Sequence, residues 1–292
     1  MTTHQLTTEQ TGTGPDAADV SRAVRAALDE DLRHGPDVTT EATVPTGARS
    51  VGRLTPRRDG ILAGLPVAAV VLAEVLGRGA AELRPAASDG DRVRTGVPVA
   101  EIEAPTRGLL TAERTLLNFV GHLSGVATVT AAWVDAVAGT GCAVRDTRKT
   151  LPGLRSLEKY AVRCGGGVNH RLGLGDAVLV KDNHVAAAGS ITAAVEAVRT
   201  RAPDLWYEVE VDTLAQLDET LALDVELVLL DNFTVADCVE AVRRAAGTGT
   251  RLEVSGGLTL DRARAYAETG VDYLAVGALT HSAPALDLGL DL

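Results

Sequence analysis

Residues 142–184 read CAVRDTRKTLPGLRSLEKYAVRCGGGVNHRLGLGDAVLVKDNH. Short apolar runs at 142–146 and 177–181 bracket this stretch. The same kind of run returns at 206–211, 227–231, 251–255 and 273–277. Helical patterns fill most of the gaps between them, at 188–201, 212–223, 234–246 and 259–269. Strand alternating with helix predicts parallel strands joined by right-handed crossovers. The strand runs are continuous rather than alternating, as a wall buried on both faces requires. Six such strand–helix units are legible.

In barrels of this kind the active site gathers at the C-terminal ends of the strands. Each run here ends in a polar residue or a glycine: Asp146, Lys181, Glu210, Asp231, Ser255 and Gly277. One charge at a strand end is commonplace; six in succession predict a site at the mouth. Lys181 follows Val178-Leu179-Val180, so its stem is expected to be buried. Glu210 and Asp231 are carboxylates on adjacent units, a pattern that suits Mg²⁺ held together with substrate phosphates; pairing with Arg148, Lys149 or Lys181 is the alternative. Ser255-Gly256-Gly257 and Gly277-Ala278 form glycine turns leading into helices, where exposed N–H groups hold phosphate. Ordinary turns before a helix would look the same.

Charge singles out the quoted stretch. The chain is acidic, with 39 Asp+Glu against 28 Lys+Arg. Between 145 and 181 the balance reverses: Arg145, Arg148, Lys149, Arg155, Lys159, Arg163, Arg171 and Lys181 face only Asp146, Glu158 and Asp176. A cationic island in an anionic protein focuses small anions and repels nucleic acid. The only three lysines of the chain, Lys149, Lys159 and Lys181, all lie here. Lysine is a compact point charge and arginine a planar fork, so lysine is retained where one oxygen must be approached closely. The run 165–167 (Gly-Gly-Gly), set between a helical pattern and His170-Arg171, reads as a binding loop.

Composition sets the outer bounds. A chain of 292 residues, 46% hydrophobic, holds two domains or a barrel with an appendage. Only 3% is aromatic, so the core is built of Ala, Val and Leu. Apolar runs such as 65–76 are too short to span a bilayer, and no signal pattern opens the chain. Cys142, Cys164 and Cys238 are odd in number and irregular in spacing, which fits neither a disulfide framework nor a zinc site. A cytoplasmic, reduced protein that engages neither membrane nor nucleic acid is expected. Residues 1–18 are polar and aperiodic and read as a disordered extension. Residues 19–33 read as a helix, and residues 48–103 as an α+β domain of short strands interrupted by a helix at 66–76. A long helix is predicted at 111–138; Arg114 then falls in its first turn, where the helix dipole disfavours a cation.

The blocks TRKTLPGLR, KYAV, GGGVNHRLGL and VKDNH, unlike one another and in this order, resemble the type II phosphoribosyltransferases, specifically the quinolinate phosphoribosyltransferase family. The likeness runs from about residue 19 to the C-terminus. It implies an incomplete, six- to seven-stranded α/β barrel (128–280) behind an N-terminal α+β domain with a linking helix (19–127), and a C-terminal segment (281–292) packed back on the N-terminal domain. The implied activity is that of a pentosyltransferase. It joins quinolinate to phosphoribosyl pyrophosphate with loss of CO₂, giving nicotinate mononucleotide and pyrophosphate in NAD biosynthesis. The resemblance implies that Arg148, His170, Arg171 and Lys181 surround the dicarboxylate. It places Lys149, Glu210 and Asp231 on the phosphoribosyl pyrophosphate and Mg²⁺ side, with metal contact direct or through water. The 5′-phosphate goes to Ser255, Gly256, Gly257, Gly277 and Ala278. Lys181, Glu210 and Asp231 stand closest to the chemistry. Arg114 is implied to serve the neighbouring subunit of a homodimer, alone or within a higher oligomer. The competing readings are a related barrel transferase for another aromatic carboxylate, and a non-catalytic paralogue that binds phosphorylated metabolites.

Overall fold

The computed structural model describes residues 14–292; the first 13 residues of the expected disordered extension lie outside them. The chain forms two compact units. One comprises residues 132–149 and 167–277; the described part of the other comprises 14–131, 150–166 and 278–292.

In the N-terminal unit α1 (Ala17–Leu32) starts under an Asp16 cap, whose carboxylate accepts the Asp19 N–H. Helix formation therefore reaches two residues into the segment read as disordered. A short α2 (Val38–Thr43), absent from the sequence reading, is capped in the same way by Asp37. Then come β1 (Arg49–Pro56), β2 (Gly60–Ile61), α3 (Leu65–Leu76), β3 (Glu82–Pro85), β4 (Arg92–Val93) and β5 (Ala100–Pro105). Asp89 ties this region together. Its carboxylate accepts the N–H groups of Gly64 and Leu65 at the start of α3, and the hydroxyl of Tyr160 at 2.7 Å. The main sheet runs β12-β1-β5-β3, all antiparallel. Its last member, β12 (Leu288–Asp291), returns from the C-terminus to pair with β1, Leu54 opposite Leu290. The strict alternation of burial along β5 shows one face packed and one wet.

The long helix α4 (Thr106–Val137) begins five residues before the predicted start. Arg114 therefore stands well past its first turn, and the dipole no longer accounts for it. α4 is also long and apolar enough to cross a membrane by composition, a feature the sequence reading overlooked. However, 67% of its most apolar window is buried. Leu109, Leu116, Val120, Leu123 and Val126 are fully buried, as in the core helix of a globular protein.

The second unit is the α/β barrel. Its elements are β6 (Ala143–Arg145), then β7 (Val178–Val180), β8 (Tyr207–Val211), β9 (Leu227–Asp231), β10 (Arg251–Ser255) and β11 (Tyr273–Ala275). Helix α5 (Arg155–Cys164), between β6 and β7, clusters with the N-terminal unit. α6 (Asp182–Ala188), α7 (Ile191–Arg201), α8 (Leu214–Leu221), α9 (Val235–Ala245) and α10 (Leu260–Ala267) provide the crossovers, and α11 (Ala278–His281) follows β11. Ser190, Thr213 and Thr234 cap α7, α8 and α9 through their hydroxyls. All pairings are parallel, in the order β6-β11-β10-β9-β8-β7. In chain order this is a ring cut between its first and second strands: an incomplete, six-stranded barrel. A single parallel bridge, Arg145 to Val168, extends the β6 edge.

Candidate active site

A cavity of about 450 Å³ opens at the C-terminal ends of the barrel strands. Its walls are Leu179 and Lys181 after and along β7, Glu210 from β8, Leu229 and Asp231 from β9, Glu253 and Ser255 from β10, and Ala275 from β11. These positions are two apart within each strand, so they share the inward face. Thr147, Arg148, Lys149, His170 and Arg171 complete the cavity from the two loops beyond β6.

Two carboxylates, one buried and one half-buried, hold the second of those loops. Asp146 is fully buried and accepts the backbone N–H of His170 at 2.8 Å and the side-chain amide of Asn169 at 2.5 Å. Asp176 accepts the N–H groups of Leu172 and Gly173. Arg171, itself buried, donates from Nη1 to the Ala177 carbonyl. Asp146, read from sequence as one of the mouth groups, is an anchor of the loop and does not line the cavity.

Below the mouth lies a dry polar floor. Arg145 and Glu253 are fully buried and paired at 2.7 Å, Nη1 to Oε2. The Arg145 guanidinium also lies 4.6 Å from the Tyr273 ring centre and 5.5 Å from that of Trp206. Fully buried Glu208 meets Nε2 of His170 at 2.8 Å, and Oε1 of Glu253 is 3.7 Å from the same nitrogen. Nδ1 of His170 accepts the N–H of Arg171 at 2.7 Å. An accepting Nδ1 makes this a neutral imidazole whose proton sits on Nε2 and points at Glu208. His170 lines the cavity, but both ring nitrogens are engaged elsewhere. Burial raises both carboxyls: Glu208 to about 7 against the pull of Arg145, and Glu253 upward with Glu208 adding repulsion. His170, Glu208 and Glu253 are close enough to share a cation, but Arg145 already supplies one at this spot. Glu208 and Glu253 are not legible as site residues in the sequence, and Arg145 appears there only as one member of the cationic stretch. Their one signal is a charge inside an otherwise apolar strand run.

The mouth itself is strongly charged. Lys181 pairs with Glu210. Its side chain is 42% exposed, so the stem is less buried than the sequence suggests. Burial and the neighbouring Asp212 push the Asp231 carboxyl up, against Lys181 and Lys149. Burial and the nearby Arg148 lower Arg171. Asn232, in a left-handed conformation (φ 58°), donates to Asp231 at 2.7 Å. A side chain at Gly256 would collide with Asn232 Oδ1, 2.2 Å from its Cβ position.

The structure therefore brings Arg148, Lys149, His170, Arg171, Lys181, Glu210, Asp231 and Ser255 around one cavity. Gly256, Gly257, Gly277 and Ala278 do not line it. Gly256 and Gly257 take positive φ values ahead of α10, whereas Ala278 opens the one-turn α11. Arg114 is exposed on α4, in the other unit. Packing accounts for two glycines of the run: a Cβ at Gly165 would lie 2.4 Å from the Ala127 carbonyl oxygen, and Gly166 ends α5 with φ 86°. Lys159 is fully buried on α5, so two of the three lysines reach the cavity. Burial pushes the Cys164 thiol up to about 11, which keeps it an unreactive thiol. A larger cavity of about 570 Å³ in the N-terminal unit lacks comparable chemistry. Its Arg25 is paired with Glu74, and its Arg107 with the carbonyls of Val44 and Glu41.

Comparison with known proteins agrees with this geometry. Residues 37–124 match the model of the quinolinate phosphoribosyl transferase N-terminal domain, and residues 126–291 that of the C-terminal domain. The nicotinate-nucleotide pyrophosphorylase (carboxylating) of Mycobacterium leprae is 59% identical over 92% of this chain and 95% of its own. A quinolinate phosphoribosyltransferase (decarboxylating) of Nicotiana tabacum is 36% identical over 94% of this chain and 82% of its own. Among solved structures, NadC of Streptococcus pyogenes superposes with a TM-score of 0.91 at 39% identity, covering 96% of this chain and 98% of that one.

Proposed function

The chain belongs to the quinolinate phosphoribosyltransferase family, and on that premise we propose that it transfers the phosphoribosyl group of phosphoribosyl pyrophosphate to quinolinate with loss of CO₂. The products are nicotinate mononucleotide, pyrophosphate and CO₂, and the pathway is NAD biosynthesis. The observation that carries the reading is one cavity in which Arg148, Lys149, Arg171 and Lys181 converge with Glu210 and Asp231. A ring bearing two carboxylates, bound beside a sugar phosphate, needs this density of positive charge. The carboxylates serve the ribose and the metal.

Arg148, Arg171 and Lys181 take the two carboxylates of quinolinate; the guanidiniums fix the plane of the ring by paired hydrogen bonds. The neutral His170 contributes shape rather than charge. Lys149 and Ser255 face the phosphate-bearing side. Glu210 and Asp231 would hold Mg²⁺; burial, with Asp212 adding repulsion, raises the Asp231 carboxyl, which a bound cation would offset. The bound metal supplies charge neutralisation to the pyrophosphate. As the C1′–O bond breaks, positive charge develops on the ribose, and the Glu210 and Asp231 carboxylates stabilise it. The ring nitrogen attacks C1′, and the resulting pyridinium draws electron density from C2 as CO₂ leaves. Positioning and charge placement do the work, and no protein nucleophile is required.

The enzyme acts as a homodimer in which exposed Arg114 completes the partner's mouth. Its three unpaired cysteines suit the cytoplasm. The test is stoichiometry. Purified protein given quinolinate, phosphoribosyl pyrophosphate and Mg²⁺ should release pyrophosphate and CO₂ in equal amounts while nicotinate mononucleotide appears. Binding of both substrates without product would favour the metabolite-binding alternative.

A further inference from the structure

The reaction proposed above leaves one proton without a source. When CO₂ departs, an electron pair remains on C2 of the pyridinium ring, and that carbon must be protonated. The cations of the mouth have other work: arginine does not give up its proton, and Lys181, released from Glu210 by the substrate, holds a carboxylate. His170 accepts at Nδ1 and directs Nε2–H away, toward Glu208.

Glu253 differs from all of them. It lines the cavity, yet is fully buried. Oε2 is occupied by Arg145, whereas Oε1 has no hydrogen-bond partner. A buried, unpartnered carboxyl oxygen on a cavity wall needs an explanation. Charge counting supplies one. On the floor Arg145 faces both Glu253 and Glu208, while Lys181 and Arg171 act on Glu208 from the mouth and Glu210 opposes them. Two ionised carboxylates packed around the single buried guanidinium would repel each other where burial already disfavours ionisation, beside a dianionic substrate. The flanking strands do not relieve it: β9 sets Leu229 abreast of Glu253, and β11 sets Tyr273 there. The Tyr273 hydroxyl oxygen already accepts from Arg251.

We propose that Glu253 is the acid that protonates C2, carrying its proton on Oε1 into the decarboxylation step. This rests on the reading of the site as a quinolinate phosphoribosyltransferase. The bond from C2 to its carboxylate breaks, CO₂ leaves, and the electron pair stays on C2. In the same step the O–H bond of Glu253 breaks as the C2–H bond forms, so that CO₂ loss depends on the proton, giving nicotinate mononucleotide and a Glu253 carboxylate. Arg145, 2.7 Å away, stabilises that carboxylate, which makes the transfer feasible. Water entering as product leaves restores the proton. The raised Glu253 carboxyl is in keeping with this role.

The test is rapid-quench single turnover on the full-length enzyme, wild type against Glu253→Gln and Glu253→Asp, reading pyrophosphate and CO₂ separately. In Glu253→Gln, pyrophosphate release should stay within about threefold of wild type, while CO₂ release slows about a hundredfold or more. The N-ribosylated dicarboxylate should accumulate, and Glu253→Asp should recover part of the second step. Unchanged CO₂ release in Glu253→Gln, or equal slowing of both steps, would overturn the proposal. Should Glu253→Gln not fold, the wild-type CO₂ step decides. It should fall as pH rises, because an acid is required; a flat or rising profile would overturn the assignment. Wild-type protein that gives no quinolinate-dependent pyrophosphate would instead overturn the parent reading of the site.

Discussion

Lys181 and Glu210 pair across the ends of neighbouring parallel strands, where β7 and β8 run in register with Val180 beside Val209. The pair joins the two sides of the proposed chemistry. The lysine is assigned to the dicarboxylate and the glutamate to the ribose and metal. Substrate binding then exchanges one set of partners for another without leaving either charge bare.

This relationship makes Lys181 testable. Lys181→Ala should lower kcat/KM roughly a hundredfold or more, the usual scale for leaving one charge of a hydrogen-bonded pair without its partner. Lys181→Arg should fare little better, because a planar fork cannot take the place of a point charge. Thermal stability should barely move, since a partly exposed ion pair contributes only about 0–1 kcal/mol. Near-normal turnover by Lys181→Arg would show that net charge alone matters there.

Arg114 tests the shared site. Arg114→Ala and Lys181→Ala should each be nearly inactive alone. After subunit exchange, a mixed dimer holds one doubly damaged and one intact site, so roughly a quarter of all sites in an equal mixture should regain activity under twofold symmetry. Activity that stays at the level of the single variants, with exchange confirmed by mass, would place Arg114 outside the partner's site.

Gly165 tests packing apart from chemistry. Its φ of −79° suits any residue, but a Cβ there would lie 2.4 Å from the Ala127 carbonyl oxygen and 2.6 Å from the Thr130 Cβ. Gly165→Ala should cost about 1–3 kcal/mol through overpacking. The thermal midpoint should drop by several degrees, and an unchanged melt would show that the α4–α5 contact yields freely.

The buried carboxyls predict a pH dependence of stability. Glu253 is raised above its ordinary 4.5, and Glu208 to about 7, both chiefly by burial. The folded state thus holds protons that the unfolded chain has already released. The stability tied to them is fully present below the ordinary value and is lost as pH rises through the raised ones. Denaturant melts should therefore show stability falling from about pH 5 to pH 7 in this window. Glu253→Gln should flatten the slope, and an unaltered slope would mean that Glu253 is ionised throughout.

Much of this architecture is legible in the chain. The six barrel strands follow from apolar runs spaced by helical patterns, and the polar tips Lys181, Glu210, Asp231 and Ser255 do line the cavity. What stays hidden depends on three-dimensional closure. Arg145, Glu208 and Glu253 sit inside strand runs, and nothing local says that they face one another across a barrel interior. Asp146 looks like a mouth group because it ends a strand; only the fold of residues 168–176 shows it gripping His170. The glycine run resembles a ligand loop because close helix packing and close ligand approach make the same demand on the backbone. The early start of α4 was concealed by Pro105 and the weak signal of the residues that follow it.

In the proposed reaction the mouth grips both carboxylates of quinolinate. The direct measurement is kcat/KM for quinolinate against nicotinate, with phosphoribosyl pyrophosphate and Mg²⁺ held fixed. Nicotinate lacks the 2-carboxylate and leaves part of a cationic pocket unpaired, which in sites built to bind a polar group costs up to about 10⁴-fold. A preference for quinolinate of that order, with one CO₂ released per nicotinate mononucleotide formed, is the predicted result. Comparable values for the two acids would show that the 2-carboxylate is not recognised.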